Sequence, residues 1–434
     1  MSFGILAFGA YIPRYRLARR VIAEANGWLN PALKAQGKGE RAMCNWDEDP
    51  VTMAVEAARD ALIGRDRGAI ADLRFASTTF PFLDRLNAGV VAEALSLSQD
   101  VTALDIAATQ RAGTSALASA SRAADFVDHY RTPESEYDYQ WEERWIRDAG
   151  YLPIVAPLIK RCLDKAGLSA ADVTHFCMPA TLPRVSTAVA KAAGLAETAV
   201  RDNLHAVCGE AGAAHPLLML AAALEEAKPG ERILVVGFGQ GADALLLEVM
   251  PAIAQQPARL GVKGHLARRR EETNYPKFLA FNDVIAIERG MRAEADKLTP
   301  LSALWRNRKT VTSFVGGHCT KCGTLQFPKT RVCVNPNCSA IDTQEEHPFA
   351  DKTGRINSYT ADRLTYSPDP PACYGMIQFD DGGRWMMDFT DVGAEALAVG
   401  QPMRMMFRVK DIDTQRGFRR YFWKAAPAAA SGRT

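Results

Sequence analysis

Ala112-Gly113-Thr114-Ser115-Ala116-Leu117 and Ala211-Gly212-Ala213-Ala214-His215-Pro216-Leu217 each open an Ala-rich helical run with small residues. Small side chains at a helix start let it lie close against other backbone, which is the packing of a central, buried helix. Two such helices at matching places predict duplicated halves. Around them, strand-like runs such as Phe3 to Phe8 alternate with helical ones at Pro50 to Leu62, Gly89 to Leu97 and Leu217 to Ala227, the pattern of α/β layering. The second helix continues into Glu231 to Val249, read as a strand, a Gly turn and a strand, whereas after Arg122-Ala123-Ala124 the chain goes straight to Asp125-Phe126-Val127-Asp128. Roughly 40 residues expected of a duplicated half are therefore absent. Either that half is shortened or a stretch is missing from the sequence. The second reading is preferred, because losing two core strands would expose a sheet edge and apolar surface.

The chain has 434 residues, 47% of them hydrophobic and 24% charged, which suits two or three folded domains and excludes global disorder. The expected boundaries are a layered domain over 1–260, a helical linker over 261–310 carrying Arg268-Arg269-Arg270, a zinc ribbon over 311–345, an all-β OB barrel over 346–427 and a disordered tail over 428–434. Fifty-two basic residues against fifty acidic ones leave +2, too little to drive non-specific binding to nucleic acid or to an anionic membrane. No charge-free run approaches the roughly 20 apolar residues of a membrane span. The first residues lack a basic leader, so a cytoplasmic location is expected.

Nine cysteines are an odd number, and four of them fall within twenty residues. Cys319-x2-Cys322, followed after ten residues by Cys333-x4-Cys338, supplies four thiolates in two close pairs, as a tetrahedral zinc ion requires. With all four positions filled the metal has no open site and is structural. His318 is the one competing ligand, and the four cysteines are preferred to it. A ribbon and barrel could bind nucleic acid, but from Val311 onward fifteen Lys and Arg face thirteen Asp and Glu, with no basic stripe among the aromatics. Nor is Gly237-Phe238-Gly239-Gln240-Gly241 a nucleotide loop, since a strand and not a helix follows it.

Phe8-Gly9-Ala10-Tyr11-Ile12-Pro13-Arg14-Tyr15-Arg16, Asp105 to Leu117, Trp145 to Tyr151, Phe176 to Gly194 and Gly209 to Leu220 resemble segments of hydroxymethylglutaryl-CoA synthases, members of the thiolase superfamily. Residues 311 to 427 resemble the rubredoxin-type zinc ribbon plus OB fold that accompanies thiolase-like proteins. The resemblance implies a thiolase-like duplicated domain, a CoA thioester as substrate, acyl-CoA held partly by the barrel, and a homodimer or a complex with a thiolase. Such condensing chemistry needs a thiolate, a His and an Asn around the thioester, and a carboxylate.

This chain departs at each position: Gln110 stands where the family has its nucleophilic Cys, Cys177 where it has His, Glu210 where it has Asn, and Thr78 where it has an acid/base Glu. An amide forms no acyl-enzyme, but Gln110 can donate hydrogen bonds to a thioester carbonyl. Cys177 reads as an inert core thiol or a nucleophile; Glu210 as an anion stabilised at a helix start or an acid/base group; His215 as a packed core residue or a neutral base. Arg111 is expected to pair with an acid. The expected function is Claisen-type carbon-carbon chemistry or acyl transfer on a CoA thioester, by a site lined with Gln110, Cys177, Glu210 and His215. The competing reading is a non-catalytic acyl-CoA-binding accessory or scaffold subunit of a thiolase complex.

Overall fold

The computed structural model describes residues 4–118, 120–132, 134–135, 137–290 and 300–428. Two parallel strand pairs carry the two halves of the first domain. Asp72–Ala76 pairs with Thr102–Ile106, and His175–Cys177 pairs with Arg232–Phe238. The second half then turns at Gln240 and Gly241 into Gly241–Glu248, which returns antiparallel to Arg232–Phe238. Gly241 has φ +115°, and a Cβ there would stand 2.2 Å from the Arg122 carbonyl, so only glycine fits.

The two halves are not equal. The second central helix runs His215–Leu224, but the first spans only Ala112–Ser115, and it is followed by a short strand, Ala120–Ala123, laid against Gly241–Ala244. The sheet order is thus Ala120–Ala123, Gly241–Glu248, Arg232–Phe238, His175–Cys177. No strand pair equivalent to Arg232–Glu248 stands in the first half among the described residues. The run from Phe3 to Phe8 was expected as a strand. Phe3 lies outside the described residues, and Gly4 to Phe8 join no sheet, with Leu6 77% exposed.

The stretch 261–310, expected as a linker, is built into the first domain over its described first third. Gly261–Ala267 is a helix against His215–Leu224. Arg270–Glu272 adds a parallel strand to Tyr15–Ala18, whose other edge pairs with Glu40–Met43. Tyr275–Phe281 packs by Tyr275, Phe278 and Phe281 onto Tyr15, Leu17 and Met43. A run of charges hid these elements, because each buries only one face. The expected tail falls, from residue 429, outside the described residues.

Val315–Cys319, Leu325–Gln326 and Gln344–Pro348 form the ribbon sheet. The five strands that follow are Thr353–Asp362, Ala372–Phe379, Arg384–Asp388, Pro402–Asp413 and Phe418–Pro427. They pair first with second, second with third, first with fourth and fourth with fifth. A parallel bridge from Phe389 to Ala425 brings the third beside the fifth. That circuit closes an OB barrel.

One apolar cluster joins the barrel to the first domain, running from Val51, Val55 and Val91 through Phe314 to Phe407 and Trp423. The helix Pro50–Ala61 is fixed at its start by a capping box between Asp49 and Thr52, worth about 1 kcal/mol. From its flank Glu56 accepts the N–H of Phe407 at 3.0 Å, and Arg59 donates to the Met405 carbonyl at 2.8 Å. These bonds tie a first-domain helix to a barrel strand.

Candidate functional site

The strand Thr102–Ile106 ends in a tight elbow in which Ala108 holds φ +76°. A side chain rarely sits in that region without surrounding constraint. The constraint is visible: Thr109 Oγ1 donates to the Gly239 carbonyl at 2.9 Å, as does Arg111 Nε at 3.0 Å. Arg111 then pairs with the fully buried Asp243 at 2.7 Å, the acidic partner expected for it. Gln110 sits between these two anchors, partly exposed, with its side-chain amide free of hydrogen bonds among the described residues.

The elbow helix meets the start of the second central helix closely. A Cβ on Gly113 would lie 2.4 Å from the Ala213 carbonyl. Gln110 and Glu210, each two residues ahead of its helical turn, therefore flank one helix-helix contact. Glu210 has three close partners: His205 Nε2 lies at 2.7 Å, the Gly212 N–H donates at 2.9 Å, and His215 Nδ1 stands at 3.5 Å. Burial raises its carboxyl, but the His205 hydrogen bond and both imidazoles outweigh it and hold the group below the ordinary range.

His215 is fully buried, and both ring nitrogens are engaged. Nδ1 accepts the Ala211 N–H at 3.0 Å, and Nε2 faces the Asn203 carbonyl at 2.7 Å. A ring held that way is the neutral Nε2–H tautomer, and burial lowers its pKa. The packed-core reading fits this geometry better than the free base.

Cys177 lies in a core strand at 0% exposure, 3.7 Å from the Met219 carbonyl, and burial pushes its thiol up to about 12. Cys208 is pushed up to about 11, burial again leading. Neither is placed to be a thiolate at neutral pH. His205 and Asp243 were missed in the sequence. The signal for Asp243 was a lone acid inside an apolar strand, which in a buried sheet must have a partner.

The ribbon gathers the four expected thiols. The sulfurs of Cys319, Cys322, Cys333 and Cys338 all lie within 4.8 Å of one another. Cys322 Sγ stands 3.5 Å from Cys333 Sγ, and Cys319 Sγ 4.0 Å from Cys338 Sγ. Four sulfurs at ~2.3 Å from a tetrahedral zinc stand about 3.8 Å apart, so the donor set fits the ion. His318 is not part of the cluster.

Between the first domain and the barrel lies a cleft of about 1530 Å³. Its lining reaches Thr79 and Arg131 at the end of the strand Asp72–Ala76, one strand from the elbow. Acids and bases both line it. Arg270 and Arg289 meet main-chain carbonyls and the faces of Tyr15 and Tyr366, and no carboxylate among the described residues.

Residues 163–248 match the family described as 3-Oxoacyl-[acyl-carrier-protein (ACP)] synthase III C terminal. Residues 311–342 match the ChsH2 rubredoxin-like zinc ribbon domain, and 347–408 the ChsH2 C-terminal OB-fold domain. The chain is thiolase-like, resembles hydroxymethylglutaryl-CoA synthases, and carries a zinc ribbon and an OB fold. The hydroxymethylglutaryl-CoA synthase of Caldivirga maquilingensis is 26% identical over 351 residues, which are all of that protein but 67% of this chain, so the alignment opens gaps on this chain's side. That of Aeropyrum pernix is 28% identical over 333 residues, 63% of this chain and 92% of its own. Among solved structures, MvaS in complex with 3-hydroxy-3-methylglutaryl coenzyme A superposes with a TM-score of 0.54 at 17% identity, over 68% of this chain and 94% of that one. The HMG synthase of the curacin biosynthetic pathway gives 0.56 at 14% identity, over 80% and 99%. The thiolase-like domain thus has that fold, and the zinc of the ribbon is structural. Among the described residues no helix is long and apolar enough to cross a membrane.

Proposed function

We propose that this thiolase-like protein binds an acyl-CoA in the cleft between its first domain and its barrel. At the adjoining elbow it performs Claisen-type carbon-carbon chemistry or acyl transfer on the CoA thioester without an acyl-enzyme. The carrying observation is the elbow: Gln110 stands at its tip with a free amide, while Cys177 and Cys208 are buried and their thiols pushed well up. In this reading the Gln110 NH2 donates to the thioester carbonyl and stabilises developing oxyanion or enolate charge. Glu210 supplies the carboxylate, and His205 and the Gly212 N–H hold it ionised. Cys177 belongs to the packed core and is not the nucleophile. Relatives named as hydroxymethylglutaryl-CoA synthases support a CoA thioester as the substrate class. A homodimer, or a complex with a thiolase, is the proposed working unit.

One observation favours a second reading, a non-catalytic acyl-CoA-binding accessory or scaffold subunit of a thiolase complex. His215 has no nitrogen left for proton transfer, and Glu210 is tied by three partners. The test is turnover of a panel of acyl-CoA and malonyl-type thioesters by the purified protein, with every CoA species read by chromatography and the intact protein by mass. Turnover without a mass shift carries the proposal. Binding without turnover carries the accessory reading, and a stable acyl adduct defeats the nucleophile-free mechanism.

A further inference from the structure

The seam between the first domain and the barrel holds more positive charge than its carboxylates neutralise. Tyr11 packs edge-on against His265 with ring centroids 4.9 Å apart, and the guanidiniums of Arg408 and Arg268 stand 5.6 and 5.7 Å from the Tyr11 ring. Arg408 is matched by Glu48 at 3.2 Å, Asp391 at 3.5 Å and Asp47 at 3.7 Å. Arg16 and Arg268 form no ion pair among the described residues, and Arg404 reaches only Glu56, at 3.9 Å. The neighbouring acids are already taken: Glu56 by Arg59 at 2.9 Å, Glu40 by Arg269 at 2.5 Å.

Arg16 is 0% exposed, and its Nη atoms donate to the carbonyls of Pro13, Tyr15 and His265. Its Nε has no partner. Among the described residues the same holds for Nε and Nη2 of Arg268 and Nη2 of Arg404, all of them atoms shut away from solvent. A charged donor left unpaired inside the fold keeps its desolvation penalty uncompensated, so several at one place call for a shared counter-charge. His265 registers the same field: burial first, then Arg268, Arg404 and Arg16, push its imidazole down to about 2.

We propose that this seam is an oxyanion-binding site in which Arg16, Arg268 and Arg404, grouped around Tyr11 and His265, take one phosphoryl group. Guanidinium forks match the paired oxygens of phosphate, and a doubly charged anion offsets the surplus of cations. The three arginines come from the strand Tyr15–Ala18, the end of the helix Gly261–Ala267 and the barrel strand Pro402–Asp413. A bound anion therefore fastens the barrel to the first domain. None of these residues lines the interdomain cleft or the elbow, so the site stands or fails apart from the acyl-CoA reading.

The experiment is isothermal calorimetry on the full zinc-loaded chain in oxyanion-free buffer, with inorganic phosphate, CoA and 3′-dephospho-CoA as probes, on the wild type and R268Q. Arg268, like Arg404, is partly exposed, so its loss spares folding better than loss of the fully buried Arg16. Saturable phosphate binding is expected, weakened roughly tenfold or more in R268Q, together with a phosphate-dependent rise in Tm of the wild type. Competition with phosphate by CoA alone assigns the site to the 3′-phosphate of CoA, and competition by both nucleotides to its pyrophosphate. Phosphate binding without competition assigns it to the free anion. No saturable binding of any probe to the wild type up to about 10 mM, or a folded R268Q with wild-type affinity, overturns the proposal.

Discussion

Arg111 Nη1 lies 2.7 Å from Oδ1 of Asp243, while Ser115 Oγ donates to the other carboxylate oxygen at 2.5 Å. The pair fastens the elbow that carries Gln110 to the hairpin strand Gly241–Glu248 of the other half. Asp243 is fully buried and Arg111 partly so, so removing the acid strands a cation. Asp243→Ala should lower stability by about 3 kcal/mol or more, read as a drop in the urea midpoint. A midpoint unchanged from wild type would show that the elbow is held by other means.

Gln110→Ala should lower turnover by roughly a hundredfold, the scale of one lost oxyanion donor, or weaken acyl-CoA affinity. Its side chain makes no hydrogen bond within the protein among the described residues, so the fold and the Tm should stay put. Kinetics and binding equal to wild type would remove Gln110 from the mechanism.

The buried thiols give a chemical test. Burial pushes Cys177 and Cys44 up to about 12 and Cys208 up to about 11. Iodoacetamide should therefore leave Cys177 and Cys208 untouched in the native, metal-loaded protein and modify them in urea, as mapped by peptide mass spectrometry. Rapid native labelling of Cys177 would reopen its claim as a nucleophile.

Metal removal should act on the ribbon first. Cys322→Ser, or a strong chelator, should release about one zinc per chain and lower the Tm of the barrel end. Phe327 and Phe349 pack the ribbon sheet against the barrel core, so the loss should spread there. Metal analysis that finds no zinc in the wild type, or a Tm indifferent to chelation, would contradict a structural role.

Glu48 sets a pH dependence at the seam. Burial raises its carboxyl from the ordinary 4.5 to about 7, with Arg408 opposing and Asp391 adding to the rise. Between those pH values the folded protein keeps a proton that the unfolded chain has lost. This group's contribution to stability therefore falls as pH rises through that window and levels off above it, by about 1 kcal/mol per pH unit. Glu48→Gln should gain on wild type by that amount between about pH 5 and pH 7, read from urea midpoints across pH. A difference between the two that does not change with pH would refute it.

Much of the architecture was legible because it is carried by local chemistry. The Cys319-x2-Cys322 and Cys333-x4-Cys338 spacing fixes a thiolate cluster within one short segment, and the barrel strands observed, Thr353–Asp362 through Phe418–Pro427, fall where the all-β barrel was read, over 346–427. The hairpin of Arg232 to Glu248 was readable from its Gly turn. The run Arg268-Arg269-Arg270 was not: it looked like solvated linker, yet Arg268 sits over Tyr11 and Arg270 pairs in register with Tyr15. The first central helix was also misjudged, since its small residues echo the second while only Ala112–Ser115 is helical.

The sequence by itself determined which chemistries are open: it put Gln110 and not a thiol at the elbow, Cys177 in an apolar strand, and four cysteines at zinc spacing. Only the tertiary structure decided what each polar group is free to do. It spent both nitrogens of His215 on Ala211 and Asn203, gave Asp243 to Arg111, and left Arg16 and Arg268 without a carboxylate among the described residues. The physical reason is that residue type and spacing set what a side chain can donate, accept or ionise, whereas burial and partners from distant segments set whether it does.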